Sequence, residues 1–267
     1  MSSPNKMMKA NYHTHMYLCR HAEGTVEDYI KKAIAVGLKT IGMSDHAPFE
    51  ELKDRSIRMQ PNELPIYIHE CDEAIKKYSD RIKILKGLEI EYFVNHEQYY
   101  IDLKKQFDFL SLGQHYIALG ENTTNLKSSY ILSKPEELEK YANTLVKAMA
   151  SGLFKFVCHP DLMLFGYGSF DNIAKKYSEQ IIDAAVNYNI PLEINANGIR
   201  RGIYRYPEGE RYIYPRWEFW KLVKGRNAKV IISSDAHHPD LLADEAIELA
   251  YKFAADLEIE VEDELEF

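Results

Sequence analysis

Histidines and carboxylates recur along this chain in short clusters. His13-Thr14-His15 stands near the start and Ser44-Asp45-His46 follows. Glu89 and Glu91 come next, then His115 and His159, and Asp235-Ala236-His237 lies near the end. These residue types bind divalent metal ions. His13 and His15 are two apart, so on a strand both side chains point to one face and can hold one ion. Asp235 and His237 repeat that geometry. Two ions about 3.5–4 Å apart need a carboxylate between them. Glu89 suits that role because it ends an apolar run, where an unpartnered charge is costly; a salt bridge to a lysine or arginine is its ordinary alternative. His69 and His96 read as mid-helix residues without a catalytic task. His21, after the first cluster, is open to either reading, and His238 is expected to point away from His237.

The elements that must position these residues are legible as alternating patterns. Strands are expected over 9–15, 39–44, 82–92, 107–113, 156–159, 191–195 and 229–233. Amphipathic helices are expected near 25–36, 62–80, 96–106, 135–151, 170–188, 216–224 and 240–257. Strands alternating with helices build parallel βαβ units. Seven units without a linker predict a closed or nearly closed (β/α) barrel in one domain spanning 1–267, rather than an open doubly wound sheet. No glycine-rich dinucleotide fingerprint supports the open sheet. The clusters fall at the carboxyl ends of the expected strands, where barrel enzymes build their active sites. Long loops over 114–134 and 196–215 would lie on the same face. Residues 1–8 and 258–267 read as tails, the second acidic and solvated.

Bulk properties narrow the function classes. The 267 residues carry a net charge of −8, with 46% apolar and 28% charged residues. That balance fits a soluble globular protein and argues against a general nucleic-acid binder. Three isolated cysteines, Cys19, Cys71 and Cys158, form no CxxC pair and point to a reducing compartment, the cytoplasm. The N-terminus lacks the apolar stretch of a secretory signal, and no run is long enough to span a membrane.

The segments YHTHMYLCRH, GMSDHAPF, GLEIEY, LGQHYI, CHPDLM, LEINANGIRRGIYRYPEGERYIYP and ISSDAHHPDLL occur in this order over residues 12–242. The sequence thereby resembles the PHP (polymerase and histidinol phosphatase) superfamily, most closely its histidinol-phosphate phosphatase branch. The resemblance implies a distorted, TIM-barrel-like (β/α)7 fold and two to three divalent ions, zinc, manganese or iron. It assigns His13, His15, Glu89 and Asp235 to a first ion. Glu89 would bridge to a second ion on His115 and His159, and His21, His46 and His237 would take a third. It implies hydrolysis of the phosphate monoester L-histidinol phosphate, a step of histidine synthesis, by a metal-bridging hydroxide, with Glu89, Asp235, His237 and Arg200 at the catalytic centre. The phosphate-contacting arginine falls best on Arg200, with Arg201 its neighbour. Asp161 and His238 are candidates for the proton donor to the leaving group. Tyr116, Tyr204, Tyr206, Glu208, Glu210 and Tyr212 could contact the imidazole and amine of the substrate. A phosphoesterase of the same superfamily acting on nucleotides, oligonucleotides or phosphotyrosine is the alternative enzyme. A metal-binding module without turnover is the alternative outside enzymes, disfavoured because a structural site needs only about four closed positions. Neither a membrane nor a nucleic-acid partner is expected, and the oligomeric state stays open.

Overall fold

The computed structural model describes residues 8–50, 52, 56–120 and 123–267. Its centre is a parallel barrel. Strand β1 (Ala10–Asn11) pairs with β2 (Thr40–Met43), β2 with β3 (Lys83–Ile90), and β3 with β4 (Phe109–Leu112). Single parallel bridges continue the ring from Leu112 to Val157 and from Val157 to Leu192 at the head of β7 (Leu192–Asn195). Strand β7 pairs with β10 (Val230–Ser233), and a bridge from Ala236 to Thr14 returns to the β1 side. Seven parallel segments thus close the (β/α)7 barrel that the alternation predicts, and several contacts are one bridge wide.

The register lifts one strand above its neighbours. β3 offers residues 83–86 to β2 and residues 87–90 to β4. A stagger of this kind is what a closing sheet requires. Here it carries Glu89 past the end of β2, where its backbone bridges His46. The outer layer consists of α1 (Val26–Ala35), α2 (Leu64–Tyr78), α3 (Glu97–Lys104), α4 (Pro135–Ala150), α6 (Asn172–Asn187), α8 (Trp217–Val223) and α9 (Glu245–Asp256), with a short turn α5 (Leu164–Tyr167). Each buries an apolar face on the barrel, and polar residues set the starts. Thr25 and Asp28 form a reciprocal capping box on α1, and Asp171 caps α6 through two backbone N–H groups.

The two long loops carry structure of their own, contrary to the sequence reading. Residues 114–134 contain the hairpin β5 (Tyr116–Ala118) and β6 (Leu126–Ser128), then a 3-10 turn over Ser129–Ile131. Residues 196–215 contain the one-turn helix α7 (Ala196–Arg200) and the hairpin β8 (Ile203–Tyr206) and β9 (Gly209–Tyr212). The expected N-terminal tail lies outside the described residues up to residue 7, while Met8 is buried in the core.

The acidic C-terminus is not a solvated tail. Glu262 N–H donates to the Val230 carbonyl at 2.8 Å, and Leu265 N–H donates to the Tyr12 hydroxyl at 2.7 Å. Asp263 pairs with Lys9 at 2.7 Å. The Phe267 ring packs 5.2 Å from Tyr12 and 5.4 Å from Phe109, between the ammonium groups of Lys83 and Lys155. Tyr12, Phe109, Phe156, Cys158 and Ile231 form a separate apolar cluster that Leu265 covers. The chain end therefore plugs the amino-terminal mouth of the barrel, opposite the metal-type ligands. Phe267→Ala is expected to lower unfolding free energy by roughly 1–2 kcal/mol through lost apolar and cation–π contact. Urea denaturation measures this, and the affinity for metal at the other mouth is expected to stay unchanged.

Candidate metal centre

The residues that end the strands converge on one cleft. His13 and His15 follow β1, His46 follows β2, and Glu89 is next to last in β3. His115 follows β4, His159 follows the Val157 bridge, and Asp235 and His237 follow β10. His21 joins them from beyond the turn over Tyr17–Cys19. The cleft holds about 440 Å³ and is lined by His21, His46, Ile57, Glu89, His115, Tyr130, Asn197, Arg201, Asp235 and His237.

Glu89 stands at the centre, fully buried. Its Oε1 lies 3.0 Å from His159 Nε2 and 3.5 Å from His115 Nε2. Its Oε2 lies 2.9 Å from His46 Nδ1, 3.4 Å from His13 Nε2 and 3.6 Å from His15 Nε2. The two oxygens thus face two separate groups of imidazoles, which is the geometry of a bridging carboxylate. Asp235 Oδ1 lies 3.1 Å from His15 Nε2 and 3.4 Å from His237 Nδ1. Its Oδ2 accepts from the side-chain amides of Asn195 and Asn197 at 3.1 and 3.2 Å.

Divalent ions fit this arrangement by their chemistry. His13 Nε2, His15 Nε2 and Glu89 Oε2 are buried without a hydrogen-bond partner, which is expensive unless a cation meets them. His13, His15 and Asp235 each offer an atom within 4.8 Å of the others; so do His13, Glu89 and His159, and also His15, His46 and His237. His21 Nε2 and His237 Nε2 approach to 2.8 Å, a distance at which two lone pairs need a proton or a cation between them. Nitrogen and carboxylate donors in this mixture suit first-row divalent metals.

Electrostatics divide the imidazoles: burial is outweighed by neighbouring carboxylates at His13, His15 and His159, which are pushed up, while the carboxyls of Glu89 and Asp235 and the imidazoles of His46 and His237 are pushed down. Burial pushes the Glu89 carboxyl up, but the imidazoles of His115, His13 and His46 outweigh it and hold it well below the usual carboxylate range. For Asp235 burial is likewise overcome, here by His13, His15 and His237. Burial and the neighbouring His15 push His237 down to about 3, so its imidazole is neutral and free to act as a ligand near pH 7. The same two causes push His46 well down. Backbone conformation is part of the construction. His159 and Asp235 have φ of 30° and 48°, the left-handed region that non-glycine residues enter at a cost of order 1–3 kcal/mol. Gly113 leaves the space that Glu89 fills, since a Cβ there would overlap the carboxylate.

A ring of carboxylates backs the imidazoles. His13 Nδ1 lies 2.8 Å from Glu193, His15 Nδ1 3.3 Å from Asp45, and His115 Nδ1 3.2 Å from Glu91. Glu91 is held in turn by the buried Arg58, whose two terminal nitrogens reach its two oxygens at 3.1 and 2.8 Å. Sequence reading passed over Glu193, Asn195, Asn197, Arg58 and Tyr130. The signal for Glu193 was present, because a glutamate inside an apolar strand needs a partner as Glu89 does.

Several expected contacts fall elsewhere. Arg200 does not reach the cleft. Its guanidinium is used up by both Asp244 oxygens at 2.8 and 2.9 Å and by the carbonyls of Ser234 and Leu241. Arg201 is the arginine that lines the cleft, with its guanidinium 5.5 Å from the Tyr130 ring and 5.8 Å from the Tyr214 ring. Asp161 is buried under the cleft floor, where its carboxylate accepts from Arg216 N–H and from the Trp220 indole; burial raises it to about 6. His238 caps the turn over Pro239–Ala243, its Nδ1 accepting from Asp240 N–H, and it is half-exposed. Tyr116 sits on β5 outside the cleft lining, and Tyr204 is exposed on β8. Glu208 is committed to Phe170 N–H and Arg216. His96 is the residue before α3 rather than mid-helix.

Comparison with known proteins gives the family. A model of the PHP domain matches residues 11–197, and the chain belongs to that family. A relative from Deinococcus radiodurans, named "Probable histidinol-phosphatase", is 28% identical over 91% of this chain and 88% of its own. The "Histidinol-phosphatase" of Bacillus subtilis is 26% identical over 94% of this chain and 99% of its own. The crystal structure of a histidinol phosphate phosphatase from Lactococcus lactis, complexed with zinc, L-histidinol and phosphate, has a TM-score of 0.69 at 19% identity, over 95% of each chain.

Two outcomes check the construction. Gly113→Ala is expected to displace Glu89 and lower bound metal, read by elemental analysis after dialysis, while the fold signal in circular dichroism persists. The paired arginines should separate cleanly. Arg200→Ala leaves a carboxylate and two carbonyls unpaired and should cost roughly 2–3 kcal/mol of stability. Arg201→Ala should leave the melting temperature nearly unchanged and weaken inorganic phosphate binding roughly 10-fold or more, by removing a charged fork.

Proposed function

We propose that this chain is a metal-dependent phosphomonoesterase that hydrolyses L-histidinol phosphate to L-histidinol and phosphate. The observation that carries the reading is the Glu89 carboxylate, with one oxygen facing His115 and His159 and the other facing His13, His15 and His46. Support for the substrate comes from the relatives named histidinol-phosphatase and from the similar fold of the Lactococcus enzyme.

His13, His15, Glu89 and Asp235 would hold a first ion, and Glu89, His115 and His159 a second. His21, His46 and His237 would hold a third, making two to three ions of zinc, manganese or iron. When bound, these ions supply Lewis acidity, neutralising phosphate oxygens and lowering the pKa of water. The remaining work belongs to the chain. Arg201 presents a planar, doubly donating fork to the phosphate. Tyr130 and Tyr214 hold that fork from its sides, and their rings keep the guanidinium from swinging away. Tyr130 also lies parallel to the His115 ring at 6.3 Å, so the arginine is indexed to the metal ligands. Ile57 is the aliphatic side chain in the cleft lining. The cytoplasm is the proposed location, from three buried free cysteines and no helix among the described residues long and apolar enough to cross a membrane.

A panel of phosphate monoesters assayed with metal-loaded protein tests the reading. kcat/KM for L-histidinol phosphate is expected to exceed that for p-nitrophenyl phosphate, despite the better leaving group of the latter. Chelation should abolish turnover, and added zinc or manganese should restore it. Equal rates on glycerol phosphate would remove the substrate assignment, while full activity after exhaustive metal removal would remove the metal-dependent reading.

A further inference from the structure

Glu193 lies inside β7 and is completely buried. One of its oxygens lies 2.8 Å from His13 Nδ1. The other accepts the backbone N–H of His159 at 3.0 Å and a side-chain N–H of Asn195 at 2.8 Å. The Asn195 amide nitrogen also reaches Asp235 Oδ2, and its oxygen accepts from the backbones of Asn197 and Gly198 at the start of α7. One strand thereby touches His13, His159 and Asp235, which come from three other parts of the barrel. It also fixes the one-turn helix that ends beside Arg201.

We infer that Glu193 is a positioning residue that sets the metal affinity of the centre, an inference that rests on the reading of His13 and His159 as ligands. A carboxylate has acceptors only, so the proton of the His13 ring stays on Nδ1 and the lone pair on Nε2. That Nε2 has no hydrogen-bond partner and lies 3.4 Å from Glu89 and 3.7 Å from Asp235. The acceptor role toward His159 is different in kind. It ties down a backbone held at positive φ, so the ring cannot relax away from Glu89. Asp45 makes contacts of the same kind, to His15 Nδ1 and to the backbone N–H of His46, and Glu91 backs His115 with Arg58 behind it. Glu193 joins His13 to His159, and through Asn195 it is linked to Asp235 as well; its ion-pair partner among the described residues is His13. A buried carboxylate so placed would be stabilised by a cation that His13 would ligate through Nε2.

The test uses the purified full chain and zinc alone. Glu193→Gln preserves volume but has one oxygen for three partners: turned to the donors of His159 and Asn195 it sets an NH2 against His13 Nδ1, and turned to His13 it sets the NH2 against those donors. Zinc affinity, measured by competition with a chromogenic chelator, should fall roughly 10- to 100-fold. The visible spectrum of the cobalt-loaded protein should change with it, because ligand geometry changes, whereas a residue serving only the fold would leave it native. Native zinc affinity and a native cobalt spectrum in a folded Glu193→Gln overturn the inference. Should that variant not fold, Glu193→Asp keeps the charge and withdraws it by one methylene; native zinc affinity there overturns the inference equally. Glu89→Gln is the control. If it too keeps full zinc affinity, the metal centre itself has been misread. If it loses zinc while both Glu193 variants keep it, only the role of Glu193 is wrong.

Discussion

The structure is organised around the placement of one carboxylate in a nest of imidazoles. Burying Glu89 is unfavourable unless cationic charge meets both of its oxygens. Much of the surrounding chain can be read as a response to that requirement. The four-residue stagger of β3 raises it to the rim, Gly113 vacates the space it fills, and five histidines from four strand ends face it. The left-handed backbones of His159 and Asp235 are tolerable because the barrel and its ligand network determine them from several sides.

The barrel separates stability from chemistry by its two ends. The amino-terminal mouth is packed with aromatic rings against which the C-terminal segment lies. The carboxyl-terminal mouth is lined by groups that are costly to bury. Strands such as β1 are short and several barrel contacts are single bridges, so side chains bind the ring together as much as backbone pairing does. Glu193, Asp45 and Glu91 serve both purposes, orienting imidazoles and tying neighbouring strand ends.

Much of this was legible in the sequence, and the parts that were not share a cause. Metal-type residues could be seen because their chemistry is rare at the ends of apolar runs, and the alternation of strands and helices placed them on one face. The sequence reading favoured Arg200 over Arg201 and the structure reverses that choice, because adjacent residues at the end of a one-turn helix point in different directions. What decides between them is Asp244, far along the chain, which captures Arg200. The C-terminus misled for a related reason. Its acidic residues dominate the composition, while Ile259, Val261, Leu265 and Phe267 fall at even spacings and supply an inward face. Tyr116 is next to His115 in sequence yet lies outside the cleft lining, since neighbours on an extended backbone alternate sides. Asp161 follows His159 by two residues, but the chain turns after the positive φ of His159 and gives its carboxylate to Arg216 and Trp220.

Charge explains why the proposed centre would need cations and Arg201 together. Glu89, Asp235, Asp45, Glu91 and Glu193 are buried around the cleft, and Arg58 neutralises only Glu91. The chain as a whole is also negative. A phosphate dianion approaching such a surface is repelled, and in a low-dielectric cleft the repulsion is poorly screened. The imidazoles offset part of that charge only when they carry protons, which the surrounding carboxylates favour at His13, His15 and His159 and which burial and the neighbouring His15 disfavour at His46 and His237. Cations held by the ligands can supply the rest. Arg201, resting against two aromatic rings instead of a carboxylate, keeps its charge available to the substrate. The same guanidinium paired to an aspartate, as in Arg200, would have none to spare.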